Sequence, residues 1–325
     1  MEKKILITGS AGFIGFSLAK SLLDQGYHIH GFDCMSNYYD VTLKRARNEI
    51  LKKYKNFSFT EEILENQEAL DKTITNFKPE IIIHLAAQAG VRYSIEEPRT
   101  YLSSNITGTF NIIEAAHKVK VNHLIIASSS SVYGANTNIP YRETDKAQTQ
   151  LSVYAATKKS TESIAHSYSN IWRLPITMLR FFTVYGPWGR PDMALFKFTK
   201  GIINGEPIDI YNNGEMYRDF TYIDDIVKGI IDLTTVPPKE EKNIDKNDSL
   251  SPVAPFRIVN IGNSNQVKLL DFVEAIESYL GKKAIRNYMP MQQGDVSATW
   301  ANTDLLKKLT GYAPKTEIKV GIKKF

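Results

Sequence analysis

The feature that most constrains this chain is the alternation of short apolar runs with amphipathic stretches over its first 185 residues. "KKILITG" (3–9) is a buried-strand pattern, and "FIGFSLAKSLLDQG" (13–26) has helical periodicity ending at a glycine. "YHIHGFD" (27–33), "SFTEEI" (58–63), "EIIIHLAA" (80–87), "HLIIASSS" (123–130) and "PITMLRFF" (175–182) read as further strands. A long helical stretch from about Pro98 to Val119 separates the fourth strand from the fifth. Such alternation predicts a parallel sheet covered by helices on both faces. After Gly186 short mixed elements dominate, with an exposed loop over "PPKEEKNIDKNDSLSP" (237–252) and one more strand at "FRIVNIG" (256–262).

Composition removes several functional classes. The net charge of +5 on 325 residues is scattered. The strongest basic run, Lys44-Arg45-Ala46-Arg47, is interleaved with apolar residues and reads as one helix face, so no nucleic-acid partner is expected. One cysteine, Cys34, excludes an internal disulfide and a multi-cysteine zinc site. The histidines lack ligand spacing, and no metal is expected. No apolar run reaches the about 20 residues of a membrane span, so no membrane partner is expected and the location is read as cytoplasmic.

"TGSAGFIG" places Gly9, Gly12 and Gly15 between the first strand and first helix. Glycines there permit a tight turn, close approach of a pyrophosphate and tight helix–strand packing, while the helix N-terminus offers free N–H groups. Asp33 closes the second strand, where its carboxylate suits ribose hydroxyls and repels a 2′-phosphate, favouring NAD over NADP. The expected fold is therefore α/β: a Rossmann-type doubly wound parallel sheet with a smaller mixed α/β C-terminal substrate lobe. Residues 1–185 form the nucleotide domain, with segments at about 218–235 and 256–263 returning to it; 186–325 are mainly the substrate lobe.

In "YAATK" Tyr154 and Lys158 are four apart and share one helix face. A free tyrosine titrates near about 10, too high for a base at neutral pH. A neighbouring ammonium stabilises phenolate, so the pair can cycle a proton. "SSSS" (128–131) follows the fifth strand at the carboxyl edge, where ligands sit in open α/β sheets. "HLAAQAG" (84–90) ends the fourth strand with small residues that leave room for a flat ring.

Glycine spacing and YxxxK together resemble the extended short-chain dehydrogenase/reductase family. Across nearly the whole chain the similarity is to UDP-glucuronate 4-epimerases. It is carried by "SNYYDVTLKRAR" (36–47), "AAQAGVRYS" (86–94), "SSSSVYG" (128–134), "VYAATKKSTE" (153–162), "RFFTVYGPWGRPDMALFKF" (180–198), "RDFTYIDDIVKGI" (218–230) and "GDVSAT" (294–299). The resemblance implies tightly held NAD, a UDP-sugar substrate, a 4-keto intermediate and Tyr154, Lys158 and Ser129 as catalytic residues. It implies cofactor contacts from Gly9, Gly12, Phe13, Ile14, Gly15, Asp33, Asn37, Glu62, Ile63, Leu85, Ala86, Ala87, Gln88 and Asn105 besides Tyr154 and Lys158. On the substrate side it implies Ser128, Ser129, Ser130 and Thr183 at the sugar, Arg92, Arg190 and Arg218 at the sugar or diphosphate, and Asp295 at the uridine ribose. It also implies a homodimer through helices near 98–119 and 152–172.

Relatives that dehydrate or decarboxylate such sugars carry an acid just before "VYG", where this chain has Ser131. The chain departs from the family pattern at Glu61-Glu62-Ile63, in place of Gly-Asp-Ile, and at Gln292-Gln293, where glucose-type epimerases carry an arginine. The alternative substrate is UDP-glucose or a UDP-N-acetylhexosamine.

Overall fold

The computed structural model describes residues 3–325. In chain order its strands are β1 (Lys4–Thr8), β2 (His28–Asp33), β3 (Phe57–Glu61), β4 (Ile81–His84), β5 (His123–Ser129), β6 (Ile176–Phe181), β7 (Thr183–Tyr185), β8 (Pro207–Ile210), β9 (Tyr217–Tyr222), β10 (Phe256–Ile261), β11 (Gln266–Lys268), β12 (Ile285–Tyr288) and β13 (Ala298–Thr299). Its helices are α1 (Phe13–Asp24), α2 (Val41–Leu51), α3 (Gln67–Phe77), α4 (Tyr93–Glu96), α5 (Pro98–Tyr101), α6 (Gly108–Val119), α7 (Val153–Trp172), α8 (Ala194–Asn204), α9 (Ile223–Leu233), α10 (Leu269–Leu280), α11 (Asp304–Thr310) and α12 (Ile318–Lys324).

Seven strands form one parallel sheet in the order β10-β6-β5-β4-β1-β2-β3. The runs of β1, β4, β5 and β6 are buried because both faces are covered there, whereas the edge strand β3 is half-exposed. Alternate side chains enter opposite cores: Ile5, Ile7, Ile83 and Ile125 join α1 and α9, whereas Leu6, Ile82, Leu124 and Ile126 join α3 and α6. Strand order reverses between β1 and β4, which opens a crevice at their carboxyl ends. The late segment 256–261 returns to the sheet edge beside β6.

Two expected elements differ in detail. The fourth strand stops at His84, whose ring is held between Thr8 (2.7 Å) and Thr109 (2.9 Å). Residues 85–88 leave the sheet there as a loop. The long helix from Pro98 is interrupted by a π-helical turn over Leu102–Thr107, and this turn aims Asn105 inward.

The remaining strands build a second layer around β9, which pairs with β7, β11 and β13, while β8 pairs with β12. Asp219 organises it from within. Its buried carboxylate accepts the N–H groups of Asn263 (2.7 Å), Ser264 (3.0 Å) and Ala301 (3.1 Å) and the Thr221 hydroxyl (2.9 Å).

Helix α7 starts at Ser152, whose side chain accepts the Ala155 N–H at 3.1 Å. It is locked onto the sheet by Glu162. That carboxylate receives Arg180 Nε and Nη2, each at 2.8 Å, and the Ser128 hydroxyl at 2.7 Å. Arg180 and Glu162 side chains are each 2% exposed. Removing one partner of such a pair strands the other charge in the interior. Arg180→Met is expected to lower the unfolding free energy by about 3–5 kcal/mol. Urea unfolding checks this, and a loss under about 1 kcal/mol would contradict it.

Candidate active site

The β1–α1 turn forms a cradle whose shape only glycine allows. Gly9 has φ +71°, and a Cβ there would stand 2.7 Å from the Ala86 nitrogen. A Cβ on Gly15 would stand 2.0 Å from the Gly9 carbonyl oxygen. The turn therefore lies directly against residues 85–86, with Gly9 N–H donating to Phe32 O at 2.8 Å. Gly12 precedes α1 without a side-chain cap, and the first turn, Phe13–Gly15, carries no acid. Its free N–H groups and positive dipole end suit an anionic phosphate.

Asp33 lies beside this cradle. Its carboxylate accepts Ala11 N–H (3.0 Å) and Met35 N–H (2.9 Å). Burial raises its pKa, opposed by those bonds and by Lys44 and Arg47. Asn37 is exposed in the following turn. Glu62 N–H donates to Asp33 O at 3.2 Å, which sets Glu62 and the exposed Ile63 at the same edge. Glu62 turns its carboxylate onto the Ile63 N–H at 2.9 Å.

Leu85, Ala86 and Ala87 are partly exposed along the crevice wall. Asn105 differs from its expected place there. It is fully buried, accepts Gln88 N–H at 2.8 Å, and donates to Gln88 O (3.0 Å) and Thr157 Oγ1 (3.1 Å). It thus fastens the 85–88 loop to α7 from behind, with its amide committed to protein partners.

On the opposite wall, Tyr154 is half-buried and Lys158 buried on α7. Lys158 Nζ donates to Ala127 O at 2.8 Å, and burial lowers its pKa to about 8. Burial raises the Tyr154 phenol above its ordinary value, while the Ser129 hydroxyl and the Arg190 guanidinium pull it down. The Arg190 guanidinium thus joins Lys158, one helical turn from Tyr154 along α7, among the cations of this site.

The four serines separate. Ser128 points away from the crevice into the Glu162–Arg180 pair, which removes it from the expected sugar contacts. Ser129 faces the Tyr154 side and accepts Ser131 N–H at 3.1 Å. Ser130 is partly exposed at the start of a short 3-10 turn. Strand alternation explains the split between Ser128 and Ser129.

Arg190 grips Asp192 bidentately (3.0 and 2.5 Å), and Tyr38 donates to the same carboxylate at 3.2 Å. Thr183 and Arg190 line one pocket with Phe13 and Gly189. Tyr101 packs edge-on to Tyr154 at 6.0 Å and donates to Gly90 O at 2.7 Å. At the far end, Arg218 pairs with Asp295 at 2.7 Å, and Arg92 donates to Gln292 at 2.9 Å while lying over the Tyr211 ring. The Gln292 departure thus becomes a contact with Arg92.

Sequence reasoning missed Lys44, Arg47, Tyr38, Tyr101 and Asp192. Lys44 and Arg47, read with Arg45 as one basic helix face, are both buried, while Arg45 faces outward to Glu61. Lys44 Nζ donates to Ser36 O and Oγ at 2.6 and 2.7 Å. Their i,i+3 spacing was the available signal, since it puts both on one helix face.

The model of the NAD dependent epimerase/dehydratase family matches residues 5–246. The chain belongs to that family. A Rhizobium meliloti member, "Probable UDP-glucuronate 4-epimerase", is 52% identical, over 99% of this chain and 95% of its own. The Arabidopsis thaliana "UDP-glucuronate 4-epimerase 4" is 44% identical, over 99% of this chain and 74% of its own. The crystal structure of UDP-glucuronic acid 4-epimerase from Bacillus cereus, in complex with UDP-glucuronic acid and NAD, superposes with a TM-score of 0.88 at 33% identity. That alignment covers 99% of this chain and 97% of the other.

In this member of the epimerase/dehydratase family, burying Lys158 makes its charge costly. Its folded pKa lies near 8, below the ordinary 10.5, so between those values the unfolded state binds more protons. Stability from this group therefore rises with pH through that window and is lowest below it. Lys158→Met is expected to be more stable than the parent at pH 7, with the gap closing by about pH 10.5. Urea titrations at both pH values check this; a constant gap would refute it.

Proposed function

We propose that this enzyme interconverts UDP-glucuronate and UDP-galacturonate, using tightly held NAD. The observation that carries the reading is the placement of Tyr154 and Lys158 on α7, with Lys158 held to the Ala127 carbonyl two residues before Ser129, across the crevice from the glycine cradle. The names of its relatives support it. The residues fit NAD: the cradle excludes any Cβ at Gly9 and Gly15, and Asp33 faces the adenosine side. Gly12, Phe13 and Ile14 would present N–H groups to its phosphates, Asp33, Asn37, Glu62 and Ile63 would border the adenosine, and Leu85 to Gln88 would line the ring's wall. When bound, NAD supplies a reversible hydride acceptor.

In this reading Tyr154 Oη takes the proton of the sugar 4-hydroxyl and later returns it. Ser129 hydrogen-bonds the same oxygen, and Lys158 keeps its charge beside the phenol and the cofactor. Ser130 and Thr183 hold the carboxylate. Arg190, Arg92 and Arg218 serve the diphosphate and sugar, and Asp295 the uridine ribose. The domain division at about residue 185 follows, with β9 and its neighbours as the substrate lobe. A single cysteine and no helix among the described residues long and apolar enough to cross a membrane fit a cytoplasmic enzyme, which cell fractionation checks.

Proton NMR of UDP-glucuronate with the purified protein is expected to show UDP-galacturonate and no pentose. Tyr154→Phe is expected to keep NAD but lose at least about 100-fold in turnover. Thr183→Ala is expected to weaken uronate binding more than UDP-glucose binding. Near-normal Tyr154→Phe turnover, or conversion of UDP-glucose alone, would overturn the reading.

The helices over 98–119 and 153–172 leave Leu102, Phe110, Ile171 and Trp172 exposed, with Ile171 at 62%. We take this apolar face as a homodimer surface. Sedimentation is expected to give a dimer, and Phe110→Asp with Ile171→Asp a monomer. A monomeric parent protein would refute it.

A further inference from the structure

Arg47 is fully buried on α2, yet its guanidinium serves no partner on its own helix. Nη1 donates to Ala11 O at 3.0 Å and to the Tyr39 hydroxyl at 2.9 Å. Nη2 donates to Trp188 O at 2.5 Å and to Gly189 O at 3.4 Å. One planar, rigid group thus joins the glycine turn to the loop that carries Arg190. Trp188, at φ +61°, packs edge-on to Phe16 of α1 at 5.5 Å and keeps the loop seated on the same helix.

The contacts continue in both directions. The Ala11 peptide is gripped at its N–H by Asp33 and at its carbonyl by Arg47. Past Gly189, Arg190 holds Asp192, and Asp192 accepts from Tyr38. A chain of contacts therefore runs from Asp33 through Ala11, Arg47 and Gly189 to the residue next in sequence, Arg190, which lines one pocket with Phe13 and Thr183. Asp33 and the turn belong to the cofactor side, and Arg190 to the substrate side.

We propose that Arg47 is a positioning residue through which filling the nucleotide cradle and filling the sugar-nucleotide site strengthen one another. Each ligand orders a loop that Arg47 ties to the other, so the second ligand meets a loop already fixed. This inference rests on the functional reading above, that NAD occupies the cradle and a UDP-uronate the crevice. Linkage requires the effect to be reciprocal in affinity: a bound uronate must tighten NAD binding, and in this proposal the loop order that does so also slows NAD loss.

The test measures loss of bound NAD on dilution, with and without saturating UDP-glucuronate, in full-length protein carrying Tyr154→Phe so that no turnover intervenes. UDP-glucuronate is expected to slow NAD loss by at least about fivefold. Adding Arg47→Lys, which keeps the charge but cannot reach both loops, is expected to cut the slowing below about twofold. Tyr39→Phe, a milder change at the same guanidinium, is expected to give an intermediate value and carries the test alone if Arg47→Lys does not fold. Arg218→Met serves as control: it demands more uronate, but at saturation the full slowing remains. A merely structural role for Arg47 would weaken each ligand while leaving the slowing intact, and that result overturns the proposal. So does an absence of slowing in the Tyr154→Phe protein when both ligands bind. Failure of the unmodified protein to bind NAD or UDP-glucuronate overturns the functional reading, and the linkage with it.

Discussion

The geometry of the site depends on one buried ion pair. Glu162 and Arg180 meet where α7 crosses β5 and β6, almost without solvent. Two charges taken out of water are costly unless every lone pair and proton is used. Here Ser128, Lys159 and the Tyr133 ring complete the shell. Glu162 lies one turn beyond Lys158 and two beyond Tyr154, so the pair fixes the helix's rotation and register. Ser129 follows Ser128 directly and is carried into place by the same contact. The distance between the phenol and its serine neighbour is thus set from behind, by residues that face away from the crevice.

A second constraint acts on the other wall. Gly9, Gly12 and Gly15 let the β1–α1 turn sit on the 85–86 backbone. The π-helical turn lets Asn105 fasten the next residues, through Gln88, to Thr157 of α7. The two walls are therefore tied to each other as well as to the sheet. Buried polar side chains carry this framework, and nearly all of them have protein partners. At the far end of the crevice Arg92 and Arg218 hold Gln292 and Asp295.

The centre of the sheet was legible because β1, β4, β5 and β6 are buried on both faces, while the half-exposed edge strand β3 gave a weaker pattern. The glycine turn, Asp33 and the Tyr154–Lys158 pair were legible because each has a fixed offset from a strand end. Ser129 was singled out for catalysis but Ser128 was kept beside it at the sugar, although strand alternation sets the two on opposite faces: what was missing was the buried Glu162 for which Ser128 turns away. Arg47 and Lys44 were hidden because a basic helix stripe is usually solvated, and only tertiary contact with the 186–190 loop reverses that. Asn105 was assigned to the right region, but the π-helical turn that points it backward has no sequence pattern of its own.

The electrostatics of the crevice bear on how an acidic sugar is handled. Arg190 is gripped bidentately by Asp192, and Tyr38 donates to the same carboxylate. An incoming carboxylate therefore meets a nearly balanced pair in place of a free guanidinium. In the proposed reading, neutral donors such as Ser130 and Thr183 would then hold it by direction more than by charge. That suits a 4-keto uronate, a β-keto acid that loses carbon dioxide when its carboxylate is free to turn. A strong single cation would bind the acid tightly in ground state and intermediate alike, which favours affinity without favouring turnover. In the proposed reaction, balanced charge with directional hydroxyls would restrain the carboxylate's orientation and leave the phenol free to exchange its proton with the 4-oxygen.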